Sequence, residues 1–169
     1  MNEARRCEIC KQPLPLDRRA RRGTPIEFVT RGLIDEDRAF IFNSYLKGYR
    51  ENHPLHWAPH ALYFGPQAKV LEFLLQSAQT AVACFPEDPG EILGYAIYQH
   101  VPAALILHYV YARRRGVGIG GGLVRSIAED KRLLIATHAC DDYRTLRHKA
   151  APMRVTFDPF FVSNAMAHP

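Results

Sequence analysis

Residues 112–127, ARRRGVGIGGGLVRSI, set three arginines (113–115) ahead of five glycines that fall between positions 116 and 122, and then run into a helix-like apolar stretch. Each glycine weakens a helical turn by roughly 1 kcal/mol relative to Ala. A chain that places five of them at the head of a helix must gain something else there. A glycine-rich turn at a helix N-terminus presents backbone N–H groups that have no intrahelical partner, and the helix dipole adds positive potential. The result is an anion site, open enough for a pyrophosphate to approach the backbone. Two familiar phosphate patterns fit poorly. A Walker A loop needs Lys-Ser/Thr where GGGLV stands. A G-x-G-x-x-G reading at Gly116, Gly118 and Gly121 lacks the acid that should follow on the next strand, RLLIATH (132–138).

A second chemical feature is C-x-x-C at Cys7 and Cys10, which is half of a zinc site. No second C-x-x-C follows, and Cys84 and Cys140 read as buried or semi-buried reduced thiols, so zinc would need distant histidines or a second protomer. The pair lies in a basic stretch. Residues 1–24 carry seven Lys/Arg against Glu3, Glu8 and Asp17, so most of the net charge of +5 belongs to this arm. The arm reads either as a solvated tail or as a contact for nucleic acid or an acidic partner.

The elements that must position these residues follow from patterning. At 169 residues the chain suits one domain with a real core, 24–169, preceded by the arm 1–23. No apolar run spans a membrane and the N-terminus lacks the core of a secretory signal, so a cytoplasmic protein is expected. TPIEFVTRGL (24–33) alternates as a strand, and a helix follows over 34–52 with Asp35 as N-cap and Phe42, Tyr45, Leu46 and Tyr49 on one face. Residues 53–65 read as a loop and 66–78 as a helix opened by Pro66. TAVACF (80–85) and ILGYAIYQH (92–100) form a hairpin, and ALILHYVYA (104–112), apolar on both faces, reads as a central strand. The glycine segment opens a helix to about Asp130, 132–138 is a buried strand, 141–150 a short helix, and 153–162 a strand broken at Pro159. Strand–helix–strand over 104–138 implies a parallel pair. The order β-α-α-β-β-β-α-β-α-β describes one α/β (α+β) domain with a mixed, mostly antiparallel sheet.

The stretch VYARRRGVGIGGGLV resembles the acetyl-CoA-binding segment of the GNAT N-acetyltransferase superfamily, [Q/R]-x-x-G-x-[G/A], with Arg115, Gly118 and Gly120 at the fixed positions and Val110 at the apolar position five residues earlier. The register Arg113, Gly116, Gly118 also matches but places Val110 too close. The element order is likewise that of the superfamily, over residues 24–162. Within it, NSYLKGYR (43–50), HYVY (108–111), TH (137–138) and FDP (157–159) look most like GNAT-like proteins encoded by tailed bacteriophages.

The resemblance implies a GNAT-like fold and direct acyl transfer from acyl-CoA, with acetyl-CoA as cosubstrate, to a primary amine. The backbone at Val110 would pair with the pantetheine arm, and the amides of Arg115, Gly116, Val117, Gly118, Ile119 and Gly120 would hold the pyrophosphate. His108, expected to share a strand face with Ile106 and Val110, is the candidate base, since an imidazole ordinarily titrates close to neutral pH. His138, at the end of the fifth strand, would lie beside the cofactor slot. Both histidines also read as ordinary strand residues satisfied by neighbours. The family's acid is a Tyr in the last helix, about seven residues after an Asn; here Asp141 and His148 stand near those positions, and Tyr143 is a substitute. Tyr45, Tyr49 and Arg50 either line an acceptor site or belong to the core. Two rival readings stay open: a phage virion or interaction protein of the same fold without turnover, and a nucleic-acid-directed, base-modifying enzyme using the arm.

Overall fold

The computed structural model describes residues 25–52, 57–114, 116–138, 146–147, 150–159 and 161. The arm 1–23 with Cys7 and Cys10, and also Arg115, Tyr143 and His148, lie outside the described residues. The chain forms β1 (Val29–Gly32), α1 (Asp37–Asn52), α2 (His60–Ser77), β2 (Gln79–Phe85), β3 (Asp88–Val101), β4 (Ala104–Ala112), α3 (Ile119–Ala128), β5 (Leu133–Ala136) and β6 (Arg154–Phe157). The strands make one sheet in the order β1-β2-β3-β4-β5-β6. β1 to β4 pair antiparallel, and β4–β5 and β5–β6 pair parallel. β4 sits inside the sheet, as its two-sided apolar pattern requires.

Helices cover both faces. On one, α3 packs with Ala81, Ala83, Leu93, Ala96, Leu105, Leu107 and Leu134 into a core of aliphatic side chains. On the other, Ile41, Tyr45 and Tyr49 of α1 and Leu71, Leu74 and Leu75 of α2 pack on Val82, Ile92, Tyr95 and Ile97. Residues 41, 45 and 49 recur every four positions and are the buried stripe of α1, whereas Phe42 and Leu46 are only partly buried.

The structure corrects three expected boundaries. α1 begins at Asp37, two residues after the expected cap. The Asp37 carboxylate accepts the Ile34 N–H (3.1 Å) and both Arg31 guanidinium nitrogens (2.6 and 2.8 Å), and Arg31 also donates to Pro89 O (2.9 Å). This staple fixes β1, α1 and the start of β3 together. Burial works to raise the Asp37 carboxyl, but Arg31 and the Ile34 N–H overcome it and hold the group below its ordinary value. α2 begins at His60, so Pro66 lies inside the helix and does not open it. Proline costs a helix its own N–H bond, but α2 is held by the packing of Tyr63, Leu71 and Leu74. β1 spans four residues, and residues 25–28 before it are extended coil tied to the glycine segment by Ile26 N–H to Val117 O (3.0 Å).

Candidate functional site

The glycines divide into distinct local roles. Gly116 (φ +81°) and Gly118 (φ +86°) occupy the left-handed region, which side chains with a Cβ enter at a cost of about 1–2 kcal/mol. They turn the chain sharply out of β4, and Gly118 caps α3. Gly122 serves packing, because a Cβ there would sit 2.6 Å from the Phe28 ring. A Cβ on Gly120 would meet Ala112 and Val110 at ordinary contact distances of 3.9 and 4.0 Å, so the head of α3 lies directly over the end of β4. The first helical bond is Gly122 N–H to Gly118 O (2.8 Å). The amides of Ile119, Gly120 and Gly121 precede it, which is the donor arrangement an anion needs. Arg113 anchors the near side, with its N–H on Leu93 O (2.8 Å) and its guanidinium 3.8 Å from Glu91.

Midway along β4 the sheet changes character. Ile97 pairs with Tyr109 and Tyr98 with Leu107, so His108 is an extra residue with no partner on β3. This bulge reverses the alternation. Leu105 and Leu107 pack on the α3 side, but so do Val110 and Ala112, while Tyr109 and Tyr111 turn to the α1/α2 side. The expected shared face of Ile106, His108 and Val110 is therefore corrected: Val110 keeps company with Leu105 and Leu107. At the same level the β4–β5 pairing ends, at Leu107 with Ala136, and Thr137 N–H makes a last bond to Leu107 O (3.1 Å). β4 continues to Ala112, while β5 stops.

His108 is 2% exposed. Burial pushes its imidazole down to about 4, so it is neutral at neutral pH. Both ring nitrogens are bonded: Nε2 to Gln99 Oε1 (3.3 Å) and Nδ1 to Thr137 Oγ1 (3.1 Å). Thr137 Oγ1 also lies 3.0 Å from His138 Nδ1, and His138 Nε2 lies 2.8 Å from the Tyr45 hydroxyl. Gln67 Oε1 lies 3.3 Å from the same Tyr45 hydroxyl, as a second acceptor within its reach. The two histidines picked out in the sequence thus belong to one chain of hydrogen bonds. It runs from β3 through β4, the end of β5 and α1 to α2.

Tyrosines surround the His138 ring, with centroids at 4.8 Å (Tyr49), 5.9 Å (Tyr45) and 6.2 Å (Tyr109). Burial pushes the Tyr45 and Tyr49 hydroxyls up, so both keep their protons. Tyr45 and Tyr49 are buried members of the core. Arg50 lies over the rings of Tyr63 (5.6 Å) and Phe64 (5.3 Å) and donates to Ala58 O (3.1 Å). Sequence reasoning did not single out Gln67, Gln99 or Tyr109. No local spacing marks them, because only the fold brings positions 67, 99, 109, 137 and 138 together.

Among the described residues no group of three or more His, Cys, Asp or Glu is placed to hold a metal ion, and no helix is long and apolar enough to cross a membrane. No protein-family model matches the chain, and no curated protein matches it by sequence. Solved structures do match. A putative acetyl transferase from Pyrococcus furiosus superposes with a TM-score of 0.56 at 15% identity, over 77% of this chain and 95% of that one. A putative acetyltransferase of the GNAT family from Desulfovibrio desulfuricans aligns at 17% identity with a TM-score of 0.48, over 74% and 84% of the two chains. The first likeness, at this identity, is one of fold: the chain has the architecture of that acetyl transferase, with a single mixed sheet, flanking helices and a parallel β4–β5 pair.

Proposed function

We propose that the protein is an acyl-CoA-dependent N-acyltransferase that takes acetyl-CoA and modifies a primary amine. The observation that carries this reading is continuous along the chain from His108 to Gly121. β4 bulges and parts from β5, then leads into a positive-φ glycine turn whose amides head α3. A long ligand with a polar arm and a pyrophosphate matches such a strand-plus-turn arrangement. The backbone at Val110 pairs with the pantetheine, and the segment Arg115 to Gly120, together with the Gly121 amide, receives the pyrophosphate.

In the reaction the amine enters as an ammonium ion and gives one proton to a base in the histidine chain, His108 or His138. The neutral nitrogen then attacks the thioester carbonyl carbon. The C–N bond forms, the C–S bond breaks, and the sulfur leaves with the electron pair. The nitrogen's second proton ends on that thiolate, delivered through Tyr143 or His148. Holding both partners in one groove contributes much of the acceleration.

Calorimetric titration with acetyl-CoA tests this, comparing wild type with an Arg115→Ala, Gly118→Trp double variant. Micromolar binding by wild type and at least a tenfold loss in the variant are expected. A folded wild type that takes up no acyl-CoA overturns the proposal.

A further inference from the structure

Hydrogen-bond direction along the histidine chain is fixed from one end. The Gln99 side-chain amide donates Nε2–H to the Ser77 carbonyl (3.0 Å), and a carbonyl can only accept. Gln99 Oε1 therefore faces His108, and His108 Nε2 must carry the hydrogen. A neutral His108 then accepts at Nδ1, so Thr137 donates to it and accepts from His138 Nδ1–H. His138 is left with its lone pair on Nε2, where the Tyr45 hydroxyl donates. One backbone carbonyl thus sets the tautomer of a histidine four hydrogen bonds away.

The two ends of the chain respond differently to an added proton. A proton on His108 Nδ1 would leave Thr137 with donors on both sides and nowhere within the chain for its own hydrogen. A proton on His138 Nε2 meets no such conflict, because the Tyr45 hydroxyl has a second acceptor in Gln67 Oε1. We propose that His138 is the proton-accepting group of this site, that Gln99, His108 and Thr137 lock it in the Nδ1–H tautomer, and that Tyr45 and Gln67 form a swinging pair that lets it take a proton without losing a hydrogen bond. This rests on the acyltransferase reading and deepens it. One N–H proton of the ammonium passes to the Tyr45 oxygen as the Tyr45 hydroxyl hydrogen moves to His138 Nε2. Tyr45 then donates its new hydrogen to Gln67 Oε1 and accepts the Nε2–H. The charge stays on His138 until the proton is released to solvent. The low value imposed on His108 by burial agrees, because a second transfer inward is uphill. His108, Thr137, Gln99 and Gln67 are positioning residues. The described titratable groups that face the His138 ring are Tyr45 and Tyr49 from α1 and Tyr109 from β4, with His108 reached through Thr137.

The test is imidazole titration by NMR on the full chain, in wild type, Gln67→Leu and Gln67→Glu, with the His138 signals assigned from a His138→Asn variant. Gln67→Leu removes the second acceptor and lowers the His138 midpoint by about one pH unit, and Gln67→Glu supplies a charged acceptor and raises it by about as much. His108 stays neutral through pH 6 in all three. A carboxylate at this position also acts through space, so Gln67→Leu is repeated in a Tyr45→Phe background, where the proposed switch requires that it shift the midpoint no further. An unmoved His138 midpoint, or a His108 that titrates near neutrality, overturns the proposal. The titration needs no ligand, so failure of acetyl-CoA binding would sink the acyltransferase reading and still leave these midpoints to judge the switch. If turnover is measured, the acid limb of kcat/KM shifts in the same directions.

Discussion

The two faces of one sheet are built from different chemistry. On the α3 face every buried core residue is aliphatic or methionine. Small residues there, including Ala81, Ala83, Gly94 and Ala96, bring the helix close to the strands. On the α1/α2 face the core includes Tyr45, Tyr49 and Tyr95, flanked by Tyr109 and Tyr111, and the hydrogen-bonded histidine chain ends there. The dry face sets position: it holds the head of α3, and so the glycine turn, against the end of β4. The wet face is built on connection, because a buried hydroxyl demands a partner and those partners link into a path. On the function proposed above, the difference teaches that a single sheet can separate the precision of a pyrophosphate turn from the adaptability of a proton-accepting site.

Four substitutions break or sharpen that comparison. Leu123→Ala, at a fully buried position on the dry face, costs about 3–4 kcal/mol of stability and leaves the histidine titrations where they were. Denaturant unfolding and NMR on the same sample check both halves, and a shifted His138 midpoint would show that the faces are not independent. Gly94→Ala places a Cβ 2.5 Å from the Tyr111 carbonyl oxygen and 2.8 Å from Ile119, so it costs about 2–3 kcal/mol and weakens anion binding at the displaced head of α3. Unfolding and acetyl-CoA titration read these; unchanged stability would mean that close approach is not what the glycine supplies.

Asp37→Asn on the wet face costs about 2 kcal/mol by leaving Arg31 without its carboxylate. The Asp37 value is depressed in the folded state, so its contribution is present above the unfolded carboxylate value of about 4 and is lost as pH falls through the lower folded value. The gap between wild type and variant is therefore full at pH 6 and closes in acid. A gap that is constant with pH would show that the ion pair is not its source. Tyr45→Phe has the smallest effect on stability, about 1 kcal/mol. It nevertheless removes the link between His138 and Gln67, so Gln67→Leu in that background shifts nothing further. A full additional shift would break the proposed coupling.

How much of this was legible depends on the range of the cause. β4 was readable to the residue, because nine consecutive positions carry a two-sided apolar pattern that only an interior strand satisfies. The turn at Gly116 and Gly118 was readable because positive φ has few sequence solutions. The start of α2 was not, since Pro66 looks like an opener and only tertiary packing keeps the helix running through it. The start of α1 was not legible either, because the Arg31 guanidinium that holds Asp37 comes from β1 and leaves no mark in the local pattern that pointed to Asp35. His108 and His138 were visible as residue types, but their relation was not. It passes through Thr137, and its polarity is set by Gln99 and Ser77, which no spacing rule connects to either histidine.

The extra residue in β4 acts as a change of phase in the strand. Before it, odd-numbered side chains belong to the α3 face; after it, odd-numbered side chains belong to the other. Reading the strand as a two-letter code, His108 is the inserted character that shifts the frame. Were His108 drawn into the ladder as an ordinary paired residue, strict alternation would send Tyr109 and Tyr111 into the aliphatic core while Val110 and Ala112 moved among the tyrosines. Every residue of the strand's second half would keep its neighbours in sequence and lose those in space. A one-residue insertion thus lets a single strand serve two differently built surfaces.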